Sequence, residues 1–450
     1  MTNRTLLISL FLGICIGAWA LDRWVLGGNA INLLLAAIVA ISASHIVWLL
    51  SVQVKWHKER KAHPFQVPEL DPEWAPYINI FVAAKNESRV IETCVRNLFK
   101  IDYPNFDIWV IDDASTDNTL EILKRMQEDL PRLNVLARAP GSVPGKSAAL
   151  NECLPLCKGD IVAVFDADSF VKPDFFKIMV PLLKDDEVGA VQAQKKIYEH
   201  QEGFLVDCQA SEYAMDTCLQ MGRTLVGGAV ELRGNGQLVK RAALVDVGGW
   251  NNNSITDDLD LSMRLLIHRY DIKFCPDTAV FEEGVVNLRS LFRQRRRWAE
   301  GSIRRYLDYI IPLQFPSHAS IVERFDIFSF LVEFAWPALT FMAIAQVVAD
   351  VMHGVPSDAP MVVAVSVFAI VTIWVPLYAG LRFYRKDLSP WAAMVNAVVV
   401  NSYIFALWSP CVVVSIWQIM FRSKASTWKP TQHFGSVETQ THLTDAGSSV

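Results

Sequence analysis

The sequence has no cysteine pair in CxxC spacing, although its 450 residues include eight cysteines. Cys153 and Cys157 stand one helical turn apart, but no His or Cys pair completes a zinc set. That argues against a zinc module and reads as reduced, buried thiols in a cytosolic region. Neither sign of charge dominates: 42 Lys+Arg against 47 Asp+Glu leave a net charge of -5. The chain as a whole is therefore no polyanion binder, and nucleic acid is not an expected partner. No small-x-small cleavage site followed by polar sequence comes after the first apolar run, which argues against a secretory signal. Between about residue 55 and about residue 325 there is no long apolar run.

What is there is hydrophobic but unevenly spread. Residues 5–21 form a run of about 17 apolar or small residues, at the short limit for a membrane span. Residues 30–54 form a second run, and the basic stretch KWHKERK (55–61) follows at once. Further candidate spans are 325–349, 361–381 and 391–421. Basic loops stay on the cytosolic side. Residues 55–61, 382–386 and 422–424 are therefore expected inside, and the acidic segment 350–360 outside. This puts the chain from about residue 56 to 322 in the cytosol. It also requires 391–421 to begin and end inside, so a tight hairpin or re-entrant turn is expected near Trp408-Ser409-Pro410. Glu333 lies about eight residues, roughly 12 Å of helix, past the presumed interface. As an intramembrane acid it is a functional candidate, with snorkelling or pairing with an arginine as the equal alternative.

The middle of the chain alternates. Strand-like runs at 78–82, 106–111, 133–137 and 161–165 interleave with helical spacing at 88–99, 116–130, 147–157 and 174–183. Continuous apolar strands between helices predict a parallel sheet covered on both faces. Ligands bind such sheets at the carboxyl ends of the strands. There the sequence is acidic: AAKNE (83–87) follows the first strand, DDASTDNT (112–119) the second, and DAD (166–168) the fourth. Capping accounts for some of these acids, with Asp117 and Asp174 expected as caps. It does not account for paired Asp112 and Asp113, or for Asp166 and Asp168 flanking one alanine. Two carboxylates in a D-x-D turn suit Mg²⁺ or Mn²⁺ bridging a diphosphate. Lys146, in PGKSAALNE, is a candidate phosphate partner, with a solvated lysine at a helix start as the competing reading.

Three further stretches stand out. RGNGQLV (233–239) brackets Asn235 with two glycines, which marks a tight turn or a close backbone approach. ITDDLDLSMRL (255–265) reads as a buried helix with Thr256 at its N-cap and Asp257 and Asp258 in its first turn. RQRRRWAEG (293–301) packs arginines around one indole. Leu288, Leu291, Phe292, Trp298, Ile303 and Tyr306 can form an apolar stripe, ringed by Arg289, Arg293, Arg295, Arg296, Arg304 and Arg305. Such a basic amphipathic helix is expected in a membrane interface. Its surrounding arginines would attract anionic lipid, at about 1 kcal/mol each.

Taken in order and spacing, AAKNE, DDASTD, GKSAALN, DAD, TDD and QRRRW resemble the membrane-embedded family 2 glycosyltransferases over residues 76 to 322. A narrower resemblance, carried by ELRGNGQ, GGWNNNSITDDLDL, RWAEGSIRRYLDY and WKPTQHFG, is to the cyanobacterial β-monoglucosyldiacylglycerol synthases. The resemblance implies an α/β GT-A-like glycosyltransferase domain in the cytosol, embedded in an α-helical transmembrane bundle with interfacial amphipathic helices. Its parts would be a transmembrane hairpin (1–55), the GT-A-like domain (76–284), the interfacial helices (285–322), a transmembrane bundle (323–421) and a cytosolic tail (422–450). It implies that Asn86, Glu87 and Asp113 hold the uridine and that Lys146 contacts the diphosphate. Asp166 and Asp168 would bind the nucleotide and its Mg²⁺ (or Mn²⁺), and Asp258 would be the general base. Gln294, Arg297 and Trp298 would form the Q-x-x-R-W site. Ala84 and Lys85 stand where polymer synthases often carry an aromatic or hydroxyl residue.

The implied reaction is inverting transfer of glucose from UDP-glucose to diacylglycerol, in a plasma or thylakoid membrane. The residues suit it independently. A carboxylate base works near neutrality only if its pKa is raised, and Asp257 beside Asp258 does that. A processive polysaccharide synthase that also translocates its product is the alternative. A catalytically dead nucleotide-sugar sensor is a third reading, and an intact base argues against it.

Overall fold

The computed structural model describes Gly13 and residues 30–198, 201–314, 317–354, 359–385 and 387–421; the side chains of 30–32, 332, 333, 338 and 361 are outside that description. The expected span at 5–21, the tail 422–450 and the side chain of Glu333 thus lie outside the described residues.

Helix α1 (Ala30–Ala62) continues through the basic stretch. The expected alternation follows: β1 (Ile78–Ala84), α2 (Ile91–Leu98), β2 (Phe106–Asp112), α3 (Thr119–Asp129), β3 (Leu133–Ala137), α4 (Lys146–Cys153) and β4 (Ile161–Asp166). Then come β5 (Phe170–Val171), α5 (Phe175–Met179), β6 (Val188–Ile197), the long α6 (Phe204–Val226), β7 (Gln237–Lys240), α7 (Arg241–Asp246), α8 (Asp257–Ile267) and β8 (Asp271–Glu282).

The eight strands form one sheet in the order β3-β2-β1-β4-β7-β6-β8-β5. Its first four strands are parallel. Beyond β4 it is mixed: β7 runs antiparallel to β4 and to β6, β8 runs parallel to β6, and β5 runs antiparallel to β8. The four strands expected from sequence are parallel as expected, and of the four beyond them only β7 and β5 run against the rest. The chain runs from β6 through α6 and the RGNGQ turn to β7, which lies beside β6 in the opposite direction. Both faces of the parallel half are covered, as its apolar strands require. Ile78, Ile80 and Val82 point into one core with α2 and α5, while Phe81, Val162 and Val164 point into another with α4 and α8. The seven described cysteines are free and buried.

The C-terminal part is helical: α9 (Leu288–Tyr309), α10 (Ile321–Glu333), α11 (Trp336–Met352), α12 (Ala359–Tyr384) and α13 (Pro390–Phe421). Among the described residues three helices are long and apolar enough to cross a membrane: Leu33–Ala62, Val362–Tyr384 and Pro390–Phe421. Two expectations need correction. The apolar run at 325–349 is broken between α10 and α11, because Pro337 stands in the first turn of α11 and disfavours helix just before itself. The hairpin expected near Trp408-Ser409-Pro410 is absent: α13 is one helix of 32 residues with Pro410 inside it. No glycine lies in 391–421 to make a turn. A turn there would also strand backbone groups in apolar surroundings, whereas an internal proline removes one bond. Neighbours brace the helix at that point, with Ser415 Oγ donating to Arg296 O at 3.2 Å.

Candidate active site

The strand register brings the acidic loops to one level. Ala84 pairs with Asp112 and Ala83 with Asp166, so the residues following β1, β2 and β4 emerge side by side. They line a cavity of about 890 Å³. Glu87, Asp113, Lys146, Asp166, Asp168, Asp258, Gln294, Arg297 and Trp298 all face it. Of the site residues expected from sequence, Asn86 alone is not in that lining. Its backbone is left-handed (φ 58°), its N–H donates to Ser115 Oγ at 2.9 Å, and its Oδ1 accepts from Thr116 N at 2.7 Å. Asn86 ties the β1 and β2 loops together.

Asp113 is held from three sides, by Lys85 Nζ at 3.2 Å, by Gly145 N–H at 3.2 Å and by the buried guanidinium of Arg138. Arg138 is anchored in turn by Glu152 at 2.8 Å. Nothing in the spacing of ARAP (137–140) marked this arginine. Lys146 donates to Asp166 Oδ1 and to Gly234 O at 2.8 Å. Burial pulls its pKa down, but Asp166 and Asp257 outweigh burial, so the net shift is upward and the ammonium stays charged.

The D-x-D turn is braced from within the fold. Buried Asn235 accepts from Asp166 N–H at 3.2 Å and from Ser169 Oγ at 2.7 Å, and donates to Glu282 at 3.0 Å. This is what the two glycines around Asn235 permit. Gly234 has a φ of +75°, and a Cβ there would lie 3.2 Å from Asp258 Oδ2. Asp168 Oδ2 accepts from Glu283 N–H at 3.1 Å, and the Asp166 side chain is 41% exposed. Among the described residues no group of three or more His, Cys, Asp or Glu could hold a metal ion. Two carboxylates alone do fit Mg²⁺ or Mn²⁺, which completes its oxygen shell with water and substrate phosphate.

Asp257 and Asp258 open α8. Thr256 occupies the N-cap position but makes no capping bond, and its Oγ1 has no partner among the described residues. Asp174 likewise makes no cap bond, whereas Asp117 accepts from Thr119 N at 3.0 Å. Thr256 instead abuts Gly301, where a Cβ would come within 2.4 Å of the threonine methyl. That close approach, one turn after Arg297, seats α9 on the start of α8. Burial first, and then the charge of Asp257, push the Asp258 carboxyl up to about 6. Burial also raises Asp257, against the pull of Lys146.

Helix α9 departs from the expected ring of exposed arginines around an apolar stripe. Asn287 caps it, accepting from Arg289 N at 2.9 Å. Ala299, Ile303 and Leu307 pack on Cys411, Val412 and Ile419 of α13, while Leu288 of the expected stripe is exposed. Its arginines divide. Arg295 is 0% exposed, bonded to Glu212 at 2.7 Å and Gln294 Oε1 at 2.6 Å, and stacked 4.1 Å from the Trp298 ring centroid. Arg305 is 4% exposed and bonded to Glu231, and Arg304 pairs with Glu300 at 2.9 Å. Burial thus takes Arg295 and Arg305 away from the anionic lipid expected for them, while Arg289 and Arg293 remain exposed. Arg297 makes no ion pair among the described residues. Burial lowers its pKa, opposed by the carboxylates of Asp257, Asp258 and Asp166. An unpaired guanidinium facing a cavity is a seat for an anion. Lys195, Glu212, Asp216, Glu231 and Arg233 also line the cavity; apart from the RGNGQ turn, they carried no sequence signal.

An open mixed sheet with a D-x-D turn, a raised carboxyl and an unpaired arginine on one cavity defines a GT-A-like glycosyltransferase. The chain belongs to glycosyltransferase family 2: a model described as glycosyltransferase-like family 2 matches residues 75–301. It is 38% identical over 370 residues to a β-monoglucosyldiacylglycerol synthase of Trichormus variabilis, covering 81% of this chain and 78% of that one. It is 36% identical over 416 residues to the enzyme of the same name from Synechocystis, covering 88% and 84%. The solved structure of the mannosyltransferase PcManGT from Pyrobaculum calidifontis, in complex with GDP-Man and Mn²⁺, shares the fold, with a TM-score of 0.56 and 22% identity over 83% of this chain and 99% of that one.

Proposed function

We propose that the protein transfers glucose from UDP-glucose to the free hydroxyl of diacylglycerol, with inversion, giving β-monoglucosyldiacylglycerol. The observation that carries this reading is a single cavity whose lining runs from Asp113, Asp166 and Asp258 to apolar residues of α1, α12 and α13. The two relatives named above support the sugar and the lipid.

In this reading Glu87 and Asp113 hold the nucleoside side of the donor. Lys146 and Arg297 face its diphosphate. A divalent cation bound by Asp166 and Asp168 would offset charge on the diphosphate oxygens, and the Mn²⁺ of the structural neighbour supports that assignment. Asp258 takes the proton of the acceptor hydroxyl. The hydroxyl oxygen forms a bond to the anomeric carbon, while the bond from that carbon to the diphosphate breaks and its electron pair leaves with UDP. Attack from the face opposite the leaving group turns an α-linked donor into a β-glucoside. A carboxyl shifted to about 6 is ionised at neutral pH yet basic enough to accept the proton.

The basic flanks of the apolar helices favour a multi-pass protein with its sheet domain in the cytosol. The test is purified protein with labelled UDP-glucose and Mg²⁺, with and without diacylglycerol, and separation of lipid from polymer. One glucose per lipid is expected, abolished by chelation and restored by Mg²⁺. A saccharide ladder, or turnover indifferent to diacylglycerol, would favour the polysaccharide synthase instead.

A further inference from the structure

One arm of the cavity has no part in donor chemistry. Beyond Glu212, Trp298 and Trp408 its walls come from α1, the α10–α11 junction, α12 and α13, including Ile38, Val39, Phe334, Ala369, Ile373 and Ile404. Charge is segregated: every Asp, Glu, Lys or Arg in the lining belongs to the sheet domain, α6 or α9, and none to α1, α11, α12 or α13. The hydroxyls those four helices bring to the lining are Ser42, Thr372 and Ser409. That of Thr372 already donates to Phe368 O at 2.9 Å. A glycan threading this arm would lose water from many hydroxyls and find few partners beyond Ser42, Ser409 and the Trp336 N–H, which is costly. An aliphatic chain needs no partners and gains from every methylene removed from water.

The rim between the two arms is fixed. Glu212 accepts from Trp408 Nε1 at 2.7 Å through one oxygen and from Arg295 at 2.7 Å through the other. Arg295 in turn lies over Trp298. Three helices, α6, α9 and α13, are tied at this point, where the charged lining gives way to the apolar one.

We propose that the apolar arm between α1, α12 and α13 seats the acyl chains of the acceptor, with its glycerol hydroxyl held at the Glu212–Trp298–Trp408 rim and presented to Asp258. This rests on the lipid-acceptor reading given above. It makes Ala369, on the arm's wall and 4% exposed, a residue that limits chain length.

The test uses the full chain in phosphatidylcholine vesicles, with dioctanoylglycerol and dipalmitoylglycerol as acceptors. Ala369→Phe fills the arm, so kcat/KM for the dipalmitoyl acceptor should fall about tenfold. The dioctanoyl acceptor and the KM for UDP-glucose should change little. An equal loss on both acceptors, at unchanged melting temperature, overturns the site. A second readout needs no substitution: a diacylglycerol carrying a mid-chain diazirine should label peptides with residues 38–39 and 369–373, and excess dipalmitoylglycerol should suppress that labelling. Label confined to exposed residues such as Val363 and Val367 overturns it as well. Unaltered protein that glucosylates neither acceptor overturns the lipid-acceptor reading itself. Glucosylation of both with exposed-residue labelling overturns only the site.

Discussion

The two ends of the cavity are built on opposite principles. At the sheet edge, charge is concentrated and cross-braced: Asp113 by Lys85 and Arg138, Asp166 by Lys146 and Asn235, Asp168 by the backbone of Glu283. Between α1, α11, α12 and α13, lining charge is absent. A polar donor needs fixed dipoles at defined places, while a lipid acceptor needs a dry, shaped volume. The same contrast recurs along α9, where Arg295 is spent on structure and Arg297 is left unpaired for a ligand.

The comparison is broken hardest at Asp258. Asp258→Asn should lower transfer by about 10³ while UDP-glucose binding, read by calorimetry, is kept. The sign of the stability change is the opposite of damage. A carboxyl whose folded pKa, about 6, lies above its unfolded value favours the fold when protonated, so it withdraws stability as pH rises towards 6. The amide removes that cost, and the melting temperature at pH 7 should rise. An inactive variant that also melts earlier would contradict the assignment.

Next come the two arginines. Arg297→Ala should cost about a hundredfold in kcat/KM with unchanged melting. Arg295→Ala should instead leave the buried Glu212 carboxylate without its counter-charge, with only the Trp408 N–H left to it, at about 3–5 kcal/mol of stability, visible as a lowered melting temperature. Exchange of these two phenotypes would remove the distinction between them.

The smallest effect is in the pH profile. A base must be deprotonated, so the rate should fall as pH drops through about 6. Asp257→Asn removes the neighbouring charge that helps to raise Asp258, so the acid limb should move to lower pH. A limb that stays in place would assign it to another group.

The sheet-edge half was largely legible in the sequence because its chemistry is local. D-x-D after a buried strand, TDD at a helix start and two glycines around Asn235 each report geometry within a few residues. What was not legible depends on distant partners. That Arg295 and Arg305 are buried follows from Glu212 and Glu231, which lie on α6 and the loop after it. Composition alone made these arginines look like a lipid-facing comb. The reversed direction of β7 depends on where α6 docks, and the continuity of α13 depends on the packing that braces Pro410. The bonds of Asn86 were not legible for the same reason: its motif placed it at the sheet edge, while its side chain is engaged by the β2 loop.

The division of labour within one cavity is tested most directly by two-substrate steady-state kinetics of Arg297→Ala and Ala369→Phe side by side. UDP-glucose and dipalmitoylglycerol would be varied independently in vesicles. The account predicts that Arg297→Ala lowers kcat or raises the donor KM with the acceptor KM unchanged, and that Ala369→Phe raises the acceptor KM with the donor KM unchanged. Both variants shifting the same parameter would contradict it.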